Sequence, residues 1–193
     1  MMNNVLVVVS GPAGAGKGTI VNRALELAAE RGSSLYLSVS MTSRPMSSLD
    51  AEGVTYFFVD AEKFKEAVDA GELLEYNCYN RNYYGTPKKN VINHLNSGDD
   101  VILEIDVNGG RQIKENYPDV IRVFIMPPSM EELERRIRSR GRDSEEDIIR
   151  RLARAKEEIE ISSEYDYIIV NDTVDRATNE LLDIIESEKM RRA

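Results

Sequence analysis

The 193-residue chain contains one cysteine, Cys78, and one histidine, His94. A lone cysteine excludes an intrachain disulfide, and the two residues together cannot furnish the ligand set of a Cys/His metal site. Cys78 falls in a stretch that reads as a strand and His94 in a polar helical one, so packing and surface roles are expected for them. The same scarcity removes a histidine base and a Cys–His nucleophile pair from the available mechanisms. Cations are also in deficit. Lys and Arg total 25 against 34 Asp and Glu, a formal charge of −9, which argues against a nucleic-acid-backbone binder. No apolar run approaches the ~18 residues of a transmembrane helix, so no membrane partner is expected. Met1 to Asn4 lead straight into a strand with no basic flank or cleavage-like site, and a cytoplasmic location is expected.

What is present is concentrated near the start. Val5-Leu6-Val7-Val8-Val9 is an apolar strand of the buried type, and Ser10-Gly11-Pro12-Ala13-Gly14-Ala15-Gly16-Lys17-Gly18-Thr19 follows it directly. The glycines let the backbone wrap closely, so that consecutive N–H groups face phosphate oxygens with a helix N-terminus behind them. Lys17 then reaches the β- and γ-phosphates of a nucleotide, and the strand–loop–helix context is that of a P-loop. The candidate nucleotide-binding residues are Gly11, Ala13, Gly14, Ala15, Gly16, Lys17, Gly18 and Thr19. Gly18 stands where the usual motif has Ser or Thr, which displaces the magnesium-binding hydroxyl to Thr19.

Strands are expected at 35–40, 100–106, 120–125 and 167–171, with helices at 19–31, 108–116, 129–140, 144–162 and at the C-terminus. This alternation predicts a doubly wound parallel α/β sheet. Residues 41–97 break the pattern, with a short strand at 56–59, a helix at 60–70 and a tyrosine-rich segment at 75–85. They read as a small α+β insertion, leaving 1–40 and 98–193 as the core of a single domain. Arg138-Ser139-Arg140-Gly141-Arg142-Asp143 breaks two helices and is composed like a lid, taken as about 138–150.

Further residues suit phosphate and base recognition. Arg44 follows the second strand, where open α/β sheets bind ligands, and its planar fork suits a phosphate. Glu75 lies upstream of Asn82-Tyr83-Tyr84-Gly85-Thr86-Pro87. A carboxylate there can accept from the adjacent N1–H and N2–H₂ donors of guanine, whereas adenine would leave it unpaired. Glu131–Arg135, Glu132–Arg136 and Glu134–Arg138 have the spacing of helix-face ion pairs. Arg140 and Arg142 have no such partner and suit stabilisation of a transferring phosphate, while Arg151 has Asp147 one turn before it.

In order along the chain these segments resemble guanylate kinases. The resemblance rests on the P-loop, Ser38-Val39-Ser40 with Arg44-Pro45, Gly53 with Tyr56-Phe57-Phe58-Val59, Gly71-Glu72-Leu73-Leu74-Glu75 and Asn82-Tyr83-Tyr84-Gly85-Thr86. It continues through Leu103-Glu104-Ile105-Asp106-Val107, Pro127-Pro128-Ser129, Arg140-Gly141, Glu164-Tyr165-Asp166-Tyr167 and Val170-Asn171-Asp172. It implies that 41–97 binds GMP, with Ser40, Glu75, Thr86 and Asp106 reading the guanine and Arg44, Tyr56 and Tyr84 holding its phosphate. Lys17, Arg136, Arg140 and Arg151 would surround the transferring phosphate, and Asn171 would lie near the ATP adenine. The implied reaction is in-line transfer from ATP to GMP or dGMP with Mg²⁺ carried on the phosphates, waters and Thr19. Glu104 or Asp106 would act through water.

The chain departs from that family's pattern at Ser47, where a second arginine is usual, and at Leu49-Asp50, which replace Gly-Glu. Weaker acceptor binding is expected, with Arg81, which stands where the family has glycine, near enough in sequence to compensate. Tyr76 for tryptophan is a milder change. The altered loop leaves open a kinase of the same fold with another small phosphorylated acceptor. A non-catalytic guanylate-kinase-like binding module is the other class, and the P-loop lysine and lid arginines argue against it.

Overall fold

The structure is a computed structural model that describes residues 4–79, 81–139, 141 and 144–192. Strand β1 (Leu6–Ser10) is buried along its whole length because it has strands on both edges and helices on both faces. It pairs in parallel with β7 (Asp100–Glu104) and β8 (Ile121–Met126), and the five-stranded sheet is completed by β2 (Leu35–Leu37) and β9 (Tyr167–Val170) in the order β2-β7-β1-β8-β9.

The alternation within β1 sorts the two cores. Val7 and Val9 pack with Ile20, Val21 and Ala24 of α1 (Lys17–Glu30) and with Leu181 and Ile185 of α7 (Val174–Arg192). Leu6 and Val8 face the other way, toward Val91 of α3 (Lys88–Ser97) and Val107 and Ile113 of α4 (Val107–Asn116). A third, smaller core joins Leu133 and Ile137 of α5 (Met130–Ser139) to Ile148 and Ala155 of α6 (Glu145–Glu160). The predicted doubly wound sheet is the observed architecture.

A second, four-stranded sheet has the order β4-β3-β6-β5, from β3 (Met41–Thr42), β4 (Phe57–Phe58), β5 (Leu73–Tyr79) and β6 (Asn82–Pro87). Helix α2 (Ala61–Asp69), capped by Asp60 accepting from Lys63 N, packs on it through Phe64. The strand expected over 35–40 stops at Leu37 because the chain then crosses between sheets: Ser38 N still donates to Ile102 O, but Met41 and Thr42 pair with Gly85 and Tyr84. The second sheet ends at Pro87, whereas α3 lies under the main sheet.

One predicted side-chain pairing differs. Ser129 Oγ accepts from Glu132 N at 3.1 Å, but the Glu132 carboxylate does not return to the cap; it is taken by Arg135 and Arg136. Arg135 therefore pairs with Glu132 rather than Glu131. The Glu132–Arg136 and Glu134–Arg138 pairs form as expected, each at 2.7 Å.

Candidate active site

The P-loop turns out of the central strand through three left-handed glycines, Gly11, Gly14 and Gly16, at φ 142°, 97° and 94°. A Cβ on Gly11 would meet Ile125 O at 2.3 Å, and one on Gly16 would meet Asn171 Nδ2 at 2.3 Å. The backbone there comes closer to its neighbours than any other residue permits. Lys17 opens α1 and donates from Nζ to Gly11 O at 2.7 Å and Pro12 O at 3.3 Å. Thr19 is exposed in the first turn, and Ala13 is exposed in the loop itself.

Two residues from the far side of the sheet brace this loop. Buried Asn171 donates from Nδ2 to Ala15 O at 2.7 Å, and Arg136 donates to Ala15 O at 3.3 Å and Asn171 O at 3.1 Å. Its Nε is held by Glu132 at 2.7 Å, and the two arginines on Glu132 lower that half-buried carboxyl to about 2. Asn171, expected beside the adenine, has its amide against the P-loop backbone.

Between the two sheets lies a cleft of 320 Å³. Lys17, Ser40, Tyr56, Glu75, Tyr84 and Asp106 all line it, so residues drawn from six separate stretches of sequence converge on one space. Glu75 is 5% exposed, with Thr86 Oγ1 donating to its Oε1 at 2.6 Å. Burial pushes its carboxyl up to about 7, Thr86 opposes the shift, and the nearby Asp106 charge adds to it. A register shift between Leu73 and Tyr76 explains how a carboxylate comes to be inside. The extra residue breaks the alternation of β5, so that Leu74 and Glu75 are both buried.

Asp106 caps α4, accepting from Gly109 N at 2.9 Å through Oδ1, while Oδ2 accepts from Asn77 Nδ2 at 2.6 Å. Glu104 faces the P-loop from the end of β7. Burial raises its carboxyl and Lys17 opposes this. A Cβ on Gly18 would make only an ordinary contact with Glu104 Oε2, at 3.5 Å, so this carboxylate lies beside the loop. Tyr56 and Tyr84 meet edge to face at 5.9 Å, and burial raises the Tyr56 phenol. The Arg44 guanidinium lies 5.5 Å from the rings of both Tyr56 and Phe58 and is paired with Asp50.

A family model for guanylate kinase matches residues 3–188. The chain belongs to the guanylate kinase family. A guanylate kinase of Synechococcus sp. (strain JA-3-3Ab) is 49% identical over 91% of this chain and 79% of its own. One from Carboxydothermus hydrogenoformans is 45% identical over 99% and 92%. The crystal structure of a guanylate kinase from Anaplasma phagocytophilum superposes with a TM-score of 0.80 at 33% identity, covering 98% of this chain and 88% of that one.

Within this guanylate kinase family member, Arg151 sits half-buried on α6 and is not among the residues that line the cleft. Arg140 and Arg142 lie outside the described residues. Sequence reasoning missed Asn77, Tyr79, Gly109 and Arg154. Period-two spacing was the available signal for two of them, since Asn77 and Tyr79 share a strand face with Glu75. Arg154 follows Arg151 at helical spacing on the same face of α6.

Proposed function

We propose that this chain transfers the γ-phosphoryl group of ATP to GMP, and to dGMP, forming GDP or dGDP and ADP. The observation that carries the reading is the meeting in one cleft of a buried carboxylate, Glu75, and a half-buried one, Asp106, with the P-loop lysine Lys17. Carboxylates select a base edge made of donors, and Lys17 selects a polyphosphate.

Glu75, Asp106, Thr86 and Ser40 read the guanine; Arg44, Tyr56 and Tyr84 hold its phosphate. The P-loop residues 11–19 wrap the ATP phosphates, with Asn171 and Arg136 keeping the loop in shape. An acceptor phosphate oxygen attacks the γ-phosphorus in line, the bond to the β,γ-bridging oxygen breaks, and ADP leaves. The nucleophile is already anionic, so no general base is needed and catalysis consists of positioning and charge neutralisation. Lys17, Arg136, Arg140 and Arg151 supply that charge. Residues 41–97 act as the acceptor-binding unit and 138–150 as the lid, and their closure excludes the water that would otherwise hydrolyse ATP. With ATP and GMP as substrates the enzyme works in the cytoplasm.

Among the described residues no group of three metal-ligating side chains is assembled, which fits a Mg²⁺ that arrives on nucleotide phosphates rather than one caged by protein. Thr19 and, through water, Glu104 would hold it, and when bound it neutralises β- and γ-phosphoryl oxygens.

The test is a coupled ADP-release assay with ATP and Mg²⁺ against GMP, dGMP, AMP, CMP and UMP, with an acceptor-free control. Turnover confined to the guanine acceptors is expected. ATP binding without turnover of any of the five overturns the acceptor assignment.

A further inference from the structure

Arg154 of helix α6 reaches the end of the second sheet. Arg154 Nε donates to Glu158 Oε1 at 2.7 Å, its Nη2 reaches Asp106 Oδ2 at 3.5 Å, and its guanidinium carbon lies 4.7 Å from the centre of the Tyr79 ring. Glu158 is 8% exposed, so the guanidinium plane is fixed from below by a buried carboxylate. The Asp106 oxygen that Arg154 approaches also accepts from Asn77 at 2.6 Å, and the other oxygen caps α4 through Gly109 N. One carboxylate is thereby held from β5, α4 and α6 at once.

The arrangement has a chemical consequence. A carboxylate that reads N–H donors must present a particular lone-pair direction, and a freely rotating one reads poorly. Asn77 and Gly109 fix its rotation, and Arg154 adds a charged contact to the oxygen that Asn77 holds. Tyr79 stands at the end of β5 and lines the cleft, so the stack of Arg154 on its ring also pins the hairpin to α6. That helix begins at Glu145, within the segment assigned above to the lid.

We propose that Arg154 is a positioning residue for acceptor recognition, aiming Asp106 into the cleft and tying helix α6 to the acceptor-binding hairpin through Tyr79. The proposal rests on Asp106 reading the guanine base. Arg154 touches no reacting atom, so it sharpens base selection and leaves phosphoryl transfer alone.

The experiment compares Arg154→Met, Arg154→Lys, Asp106→Asn and the double variant Arg154→Met/Asp106→Asn. It measures KM and kcat with GMP and with IMP, a purine lacking the 2-amino group, and thermal melting for each. Methionine keeps an unbranched chain over Tyr79 without charge, and asparagine keeps the cap of α4. For Arg154→Met the GMP KM rises about tenfold with kcat within about twofold, in the range of couplings inside one hydrogen-bond network. The preference for GMP over IMP falls in step, Arg154→Lys recovers part of it, and Arg154→Met adds nothing once Asp106 is asparagine. If Asp106→Asn raises the GMP KM while Arg154→Met changes only the melting temperature, Arg154 is a structural ion pair and the proposal is overturned. If Asp106→Asn itself leaves the GMP KM unchanged, the guanine reading fails and takes the proposal with it.

Discussion

Arg44 donates from Nη2 to both oxygens of Asp50, at 2.9 and 3.0 Å, and Ser47 adds its N and Oγ to the same carboxylate at 2.8 and 2.6 Å. The Arg44 bond, followed by those from Ser47, holds the Asp50 carboxyl far below the usual range. The phosphate anchor therefore faces an internal anion that an incoming phosphate must share or displace. Asp50→Asn is expected to lower the GMP KM about fivefold, the worth of roughly 1 kcal/mol of ion pairing. Arg44→Met raises it by about 1.5–3 kcal/mol, the range for a charged hydrogen bond. Steady-state kinetics with GMP varied at saturating ATP checks both; a higher KM for Asp50→Asn would mean that Asp50 holds Arg44 in place instead of competing for it.

The Glu75 carboxyl titrates near 7 instead of the usual 4.5, chiefly through burial. The folded protein thus keeps a proton that the unfolded chain has lost, and stability falls as pH rises between those values. The drop is on the order of 3 kcal/mol. Thermal melts from pH 4 to 8 should show this slope, and Glu75→Gln should flatten it. Guanine donors need the ionised form, so the GMP KM should rise below about pH 7 while the ATP KM stays level. An acceptor KM independent of pH across that range would remove Glu75 from base recognition.

Gly109 gives a sharper probe of the same carboxylate. A Cβ at 109 would stand 2.6 Å from Glu75 Oε2, and the residue lies in the first turn of α4. Alanine improves helix propensity by about 1 kcal/mol, yet the methyl group must push Glu75 out of its seat. Gly109→Ala is expected to raise the GMP KM at least about tenfold, as displacement of a reading group by a fraction of an ångström does. Nucleotide titration should find ATP affinity unaltered. Equal losses for both nucleotides would point to general damage to the sheet.

Much of this was legible in sequence wherever the determinant is local. The P-loop is written in consecutive residues, and the alternation of Val7 and Val9 with Leu6 and Val8 separates the two cores without any tertiary information. The crossing at Ser38 to Ser40 was not legible, since the same apolar residues serve a longer strand equally well until the pairing of Met41 with Gly85 is known. The bulge before Glu75 leaves no signature either, because its cause lies in the partner strand. A Cβ on Gly85 would meet Glu75 O at 2.8 Å, so the close approach there depends on a residue ten positions away in sequence. Arg154 reads on paper as one more helix-surface cation; only the fold brings it to Tyr79 and Asp106.

Arg81 is the only non-glycine residue with positive φ among those described, at 65°, in the turn between β5 and β6. The guanylate kinase pattern has glycine there, so this chain accepts backbone strain to carry an arginine. The adjoining ladder ties the strand that follows Arg81 to the start of the Arg44 loop. Ser43 N donates to Tyr83 O at 3.0 Å and Tyr83 N to Ser43 Oγ at 2.8 Å, so the turn runs alongside the start of the Arg44 loop. Such placement suits compensation for the cation missing at Ser47, and Arg81→Gly separates the two effects. Relief of the left-handed conformation is worth about 1 kcal/mol, a rise of about 2–4 °C in Tm for a chain of this size. Loss of the cation should raise the GMP KM by about tenfold, the worth of one charge-assisted hydrogen bond. A variant that is both more stable and poorer at binding GMP is the expected result. A higher Tm with an unchanged KM would show that Arg81 never reaches the acceptor phosphate, leaving the substitution at Ser47 uncompensated.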